Sequence, residues 1–187
     1  VSVYGNYIQK LNENIKTKTL NKYAKNCLIA EKISTQVFAE TKVNLIILRI
    51  AQVFGLYKTK YGIIEKILKY YLKNDAYAFN AVNLIRSHIS AVKIVKIIHF
   101  LSKKEINNEL LNISNPFYIF SFEDLVRKIE KILGFKKKIN LEHQSFIIKN
   151  SICAPTKLQK KYGIKFKNNF SSEIKHVIRN FNRYDWS

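Results

Sequence analysis

Tyr23 and Cys27 stand four residues apart in the stretch Leu20 to Glu31, whose residue types favour a helix. On a helix that spacing sets one side chain above the other. Of the two, the phenol is the group that could exchange a proton with an alcohol or a carbonyl. Its ordinary pKa of about 10 makes it a poor base at neutral pH, unless a nearby cation lowers that value by roughly 1–3 units. Cys27 cannot be that cation, since a thiol is neutral and a thiolate is negative. Lys25, two residues along, points to the opposite side of the helix. Tyr23 therefore reads either as an acid/base without cationic help or as a core tyrosine with a satisfied hydroxyl. Cys27 reads as a small apolar residue with no partner in sequence for redox or nucleophilic work.

Other polar side chains invite roles. Arg49 and Gln52 flank the end of the apolar run Val43 to Ile50, and Arg86 and His88 sit in Arg-Ser-His-Ile-Ser. Asn12-Glu13-Asn14 lies in a polar, loop-like stretch from Asn6 to Lys18. The histidines His88, His99, His143 and His176 are far apart, and none pairs with a cysteine or carboxylate at ligand spacing, so no metal site is expected. Five glycines and no Gly-x-Gly-x-x-Gly or Walker pattern leave the chain without a phosphate cradle of its own.

These residues need a scaffold, and the composition is that of one. The 187 residues are 47% hydrophobic and 25% charged, which suits a globular domain with a sizeable core. No apolar run approaches roughly 18 residues, so no membrane span is expected. Two cysteines, Cys27 and Cys153, are too few for a disulfide framework and suit a reducing cytoplasm. The net charge of +20 raises a nucleic-acid reading, yet the lysines are scattered among Asn and Ile and no recognition motif accompanies them. The tightest basic run, Phe135 to Lys138, reads as a solvated turn after Gly134. A basic surface would still attract an anionic nucleotide sugar or dinucleotide.

The pattern along the chain places the candidates. Val1 to Gly5 reads as the end of a strand, Thr19 to Glu40 as a helix with Tyr23, Cys27, Ala30, Val37 and Phe38 near one face. Val43 to Ile50 reads as a strand covered on both faces, as in a parallel sheet. Helices follow over 62–73 and 91–102, with short strands at 76–80 and 109–114. The helix after Ser121 has the clearest ends: Ser121 as N-cap, Asp124 at the third position, Phe120 and Leu125 as a staple, and Gly134 as the stop. Lys138 to Leu141 reads as a strand, a short helix opens at Pro155, and Ser171 to Arg183 closes the chain as a helix. Helix and buried strand in succession argue for a doubly wound α/β layer.

Three motifs carry a family resemblance. Val3-Tyr4-Gly5, then Tyr23-Ala-x-x-x-Leu-x-Ala-Glu31, then Leu48-Arg-x-x-x-Val-Phe-Gly55 resemble the extended short-chain dehydrogenase/reductases, most of all their NAD-dependent nucleotide-sugar epimerases and dehydratases. The resemblance implies the C-terminal part of a doubly wound Rossmann-type parallel sheet, with a smaller α/β substrate-binding part. Residues 1–58 would close the NAD(P)-binding domain, and 59–187 would be mainly the substrate-binding part, with elements returning to the sheet. The Gly-rich phosphate loop would lie upstream. The resemblance also implies NAD or NADP as cofactor, a nucleotide sugar as substrate, and dimerisation through the tyrosine-bearing helix. Tyr23 would be the catalytic acid/base and a cofactor contact. Gln52 would keep the amide of an asparagine that contacts the nucleotide sugar, and Arg86 would grip its diphosphate. Two departures stand out. Cys27 takes the position of the family's lysine, and the acidic residues of the Arg-Asp-x-Ile/Val-His-Val-x-Asp pattern are absent around Arg86. Those losses also suit a member that binds a nucleotide or sugar nucleotide without turnover.

Overall fold

The structure, a computed structural model, describes residues 2–5, 10–19, 21–55, 62–73, 79, 85–139 and 151–181. The boundary near residue 58 and His143 lie outside them, as do Asn140 and Leu141 of the expected 138–141 strand and all of 76–80 except Phe79. Lys138 and Ile139 are in no strand.

Each helix begins where a side chain or a buried face makes it begin. The first, α1 (Lys22–Ala39), starts later than its apolar spacing suggests, because Asn21 caps it: Asn21 Oδ1 accepts from the Ala24 N–H at 2.8 Å. Next come strands β1 (Ile46–Ile50) and β2 (Gln52–Phe54), then α2 (Ile63–Lys73), whose Ile64, Ile67, Leu68 and Tyr71 are buried as their spacing predicts. Strand β3 (Arg86–Ser90) leads directly into α3 (Ala91–Leu101), with Ser90 as the cap. After β4 (Glu109–Ile113) and β5 (Ile119–Phe120), α4 (Phe122–Leu133) carries the full capping box. Asp124 N–H donates to Ser121 Oγ at 3.1 Å, Ser121 N–H donates back to Asp124 Oδ2 at 3.3 Å, and Gly134 ends the helix at φ 82°. Phe120 and Leu125 both join the core that α4 covers. The chain closes with α5 (Thr156–Lys160) and α6 (Phe170–Arg179).

The strands form two small sheets. In one, β1 pairs in parallel with β4, Leu48 opposite Leu111. In the other, β3 lies between β2, parallel to it with Gln52 opposite His88, and the antiparallel β5. One core fills the space between β2, β5, α2, α4 and α6, around Phe54, Leu68, Tyr118, Ile129 and Ile174. A second lies under α3, around Ile89, Ile97, Leu111 and Leu158.

The expectations fail at three further places. Residues 2–4 form a 3-10 turn rather than a strand end. No strand pairs with them among the described residues; Gly5 N–H closes back onto Ser2 O at 3.2 Å instead. Gly5 sits at φ 71° with Lys18 O at 2.1 Å from where a Cβ would stand, so only glycine fits. The apolar face of α1 is largely open: Tyr23 is 69% exposed and Val37 58%, while Ala24 alone is buried. The small turn at Ser2–Tyr4 packs on α1 together with Leu11 and Ile15, too little to cover an eighteen-residue helix. Strand β1 is only half-buried except at Arg49, because β4 is its one ladder partner among the described residues.

Two buried titratable groups flank β2. Glu65, in the first turn of α2, accepts the Gly55 N–H at 2.9 Å, and its other oxygen has no partner among the described residues. Burial pushes its carboxyl up to about 7. His88 is buried on β3, and burial pushes its imidazole down to about 4. Folded Glu65 thus holds its proton above the ordinary 4.5, so its contribution to stability is full below 4.5 and is lost as pH rises through 7. His88 does the reverse, losing its contribution as pH falls from 6.5 towards 4. Between these limits the two slopes oppose each other. Glu65→Gln is expected to leave the His88 slope alone, so that stability rises steadily from pH 4.5 to 6.5 by urea unfolding. A variant whose pH profile matched the parent's would show that Glu65 does not titrate in this range.

Candidate active site

A cavity of about 220 Å³ opens where β2, β3 and the segment at Ser151 meet. It is lined by Ser2, Tyr23, Ile50, Ala51, Gln52, Arg86, Ser87 and Ser151. The three residues singled out from the sequence, Tyr23, Gln52 and Arg86, therefore share one pocket. Each arrives on a different element: Tyr23 on the first turn of α1, Gln52 at the start of β2, Arg86 at the start of β3.

Arg86 is half-buried, and among the described residues no carboxylate meets its guanidinium. Burial lowers its pKa, without a counter-charge to offset the cost. A half-buried cation that no described residue pairs is suited to an anionic ligand.

Tyr23 is shifted the wrong way for a base. The Cys27 side chain, first by hydrogen bonding and then by charge, raises the phenol above its ordinary value, and burial adds to this. No cation opposes the rise. Cys27 is half-buried, packed against the small cluster of Val3, Tyr4 and Leu11, which matches its reading as an apolar filler.

The remaining candidates lie elsewhere. Arg49 is 8% exposed and forms a two-pronged pair with Glu31 of α1, Nε to Oε1 at 2.9 Å and Nη2 to Oε2 at 2.6 Å. Its guanidinium also lies 4.7 Å from the centre of the Tyr4 ring. Burial works against its charge, but Glu31 and Tyr4 outweigh it and the pKa is raised. Arg49 thus ties strand to helix. His88 is a core residue next to Phe120, outside the pocket lining; neither ring nitrogen has a partner of good geometry among the described residues, although the Tyr118 and Arg86 backbones favour the charged ring slightly. Glu13 holds the loop onto β4 by accepting the Asn112 N–H at 2.9 Å. In the basic run, Lys137 donates to Tyr70 O at 2.9 Å and lies over that ring, so it is a structural strut. No cluster of metal-ligating side chains occurs among the described residues. No described helix is long and apolar enough to cross a membrane.

Three serines of the lining, Ser2, Ser87 and Ser151, were not singled out from the sequence. What joins Ser87 and Ser151 is the bond from the Ser87 N–H to Ser151 O at 3.2 Å, beside the Arg86–Ser151 bridge, which a linear pattern does not carry.

For NAD(P), the described residues offer little beyond Tyr23. No glycine-rich cradle is present, and Cys27 brings no positive charge. These residues do not by themselves fit a dinucleotide.

No protein-family model matches the chain, and no curated protein matches its sequence. Solved structures do. The UDP-glucose 4-epimerase of Thermotoga maritima, crystallised with UDP-glucose, aligns over 97% of this chain and 60% of its own at 18% identity, TM-score 0.86. The dTDP-glucose 4,6-dehydratase of Bacillus anthracis, in complex with NAD, aligns over 98% of this chain and 60% of its own at 16% identity, TM-score 0.82. RMD from Pseudomonas aeruginosa, complexed with NADPH, aligns over 98% and 65% at 13% identity, TM-score 0.85. The chain thus spans about three fifths of the length of these proteins. At such identities the likeness is one of fold, and the chain has the Rossmann-type α/β fold of the C-terminal part of extended short-chain dehydrogenase/reductases, the NAD-dependent nucleotide-sugar epimerases and dehydratases.

Proposed function

We propose that the pocket of Tyr23, Gln52 and Arg86 binds a nucleotide sugar, as part of an NAD(P)-dependent epimerase, dehydratase or reductase. The observation that carries this is Arg86, a half-buried cation with no counter-charge among the described residues, in one cavity with an amide and a phenol. Arg86 grips the diphosphate through its planar fork, Gln52 contacts the nucleotide sugar through its amide, and the Tyr23 hydroxyl faces a sugar hydroxyl or carbonyl with which it exchanges a proton. The hydride chemistry of such an enzyme belongs to NAD or NADP, which residues other than these would have to hold.

Calorimetric titration with UDP-glucose tests the reading. Arg86→Ala is expected to weaken binding about 10- to 100-fold, the worth of charge-assisted hydrogen bonds to an anion. Equal affinity in the variant would remove Arg86 from the site.

A second reading, binding without turnover, is favoured by Tyr23 itself, since its neighbour Cys27 raises the phenol pKa rather than lowering it. The open apolar side of α1, including Ile33 and Val37, is where a second copy would pack. Ile33→Glu is then expected to shift the mass seen by light scattering from dimer to monomer; a parent protein already monomeric would refute that contact.

A further inference from the structure

Strand β3 changes neighbours along one edge. His88 turns its own backbone groups to the other side, donating to Tyr118 O at 2.8 Å and accepting from Asn115 N at 3.1 Å. In a parallel pair the bonds are made by the residues flanking the one opposite a partner. Ser151, opposite Arg86, and Gln52, opposite His88, therefore both meet the edge on which Ser87 bonds. Ser87 N–H donates to Ser151 O at 3.2 Å, and Ser151 N–H donates to Ile85 O at 3.0 Å. The changeover from Ser151 to Gln52 falls on Ser87. A regular ladder would send the Cys153 N–H to the Ser87 carbonyl; it goes instead to Ser87 Oγ at 2.9 Å. One step on, Ala154 N–H already bonds Leu11 O at 2.8 Å, away from β3.

We propose that Ser87 is a positioning residue for the pocket. Its hydroxyl stands in for a ladder carbonyl, ends the pairing after one bridge, and holds Ser151 and Gln52 apart at the gap where the cavity opens. A longer ladder would bring the segment 151–154 against the end of β2 and close that gap. A weaker one would let Ser151 leave the wall. Ser87 is 2% exposed and Cys153 1%, so no solvent is at hand to replace the bond. The proposal rests on the reading of this cavity as a nucleotide-sugar site.

Two readouts on the intact chain separate the proposal from that reading. In Ser87→Ala, the Cys153 amide is expected to exchange its hydrogen about tenfold faster or more, while the Leu111 amide, in the β1–β4 ladder, keeps its rate. In the same variant the dissociation constant for UDP-glucose is expected to rise about tenfold. Ser87→Thr keeps a hydroxyl on a strand that accepts β-branched residues and is expected to restore both. Ser114→Ala removes a different bond to the same segment, Ser114 Oγ to Cys153 O at 2.6 Å, from outside the pocket. It is expected to lower thermal stability and leave affinity alone. Parental exchange and affinity in Ser87→Ala, or an equal loss of affinity in Ser114→Ala, would overturn the proposal. If the parent protein binds no UDP-glucose, the nucleotide-sugar reading falls, and the exchange of Cys153 alone decides whether Ser87 holds the segment.

Discussion

Arg49→Leu is expected to lower the free energy of unfolding by about 3–5 kcal/mol, the range found when one partner of a buried ion pair is removed. The large effect follows from what the substitution leaves behind. Glu31 is 17% exposed and takes both of its short bonds from Arg49, so its carboxylate would remain in place without a counter-charge. Tyr4, fully buried, would lose the guanidinium over its ring while keeping its bond to Asn112 at 2.8 Å. Since α1 buries little else, this pair is the principal lock between the helix that carries Tyr23 and the strand that leads to Gln52. Replacing both partners, Arg49→Leu with Glu31→Leu, is expected to recover much of the loss, because an apolar pair leaves no orphaned charge. Urea unfolding measures all three variants. A loss under about 1 kcal/mol for Arg49→Leu would class the pair with exposed salt bridges.

The second large effect concerns the phenol. Cys27→Lys places an ammonium one helical turn from Tyr23 and is expected to lower that phenol by roughly 1–3 units, which multiplies the phenolate present at neutral pH by about 10 to 1,000. In the parent protein the same position pushes the other way, since the Cys27 side chain raises Tyr23. A lysine fits there because position 27 is only half-buried and the long stem can lie along Val3 and Leu11 with its head in water. Phenolate absorbance followed against pH reads the shift. With 11 tyrosines in the chain, the Tyr23 signal is taken as the difference from the matching Tyr23→Phe protein. An unmoved Tyr23 titration in Cys27→Lys would mean that the two side chains do not face each other.

Much of this arrangement was legible in the sequence, and the reasons differ from residue to residue. The ends of α4 were readable because a capping box is local: Ser121 and Asp124 are three residues apart and need nothing from the rest of the fold. The buried side of α2 was readable because a closed core enforces helical spacing. Tyr23, Gln52 and Arg86 were singled out through a family pattern, and the fold brings them to one cavity. The face of α1 misled for a physical reason: apolar spacing reports a capacity to be covered, and among the described residues a small turn with Leu11 and Ile15 covers part of it. Arg49 and Arg86 each stand beside an apolar run, and a linear pattern does not say which of them has a counter-charge. Glu31 neutralises one and nothing among the described residues neutralises the other, a difference that depends on tertiary neighbours. Ser87 and Ser151 carried no signal because hydroxyl residues are common and their meeting is a matter of strand register.

The measurement that bears most directly on the nucleotide-sugar site is a crystal structure of the chain grown with UDP-glucose. The expected result is ligand density in the Tyr23–Gln52–Arg86 cavity, with diphosphate oxygens at hydrogen-bonding distance, about 2.7–2.9 Å, from the Arg86 guanidinium and the hexose towards Tyr23. Well-ordered UDP-glucose elsewhere on the chain, with Arg86 untouched, would contradict it.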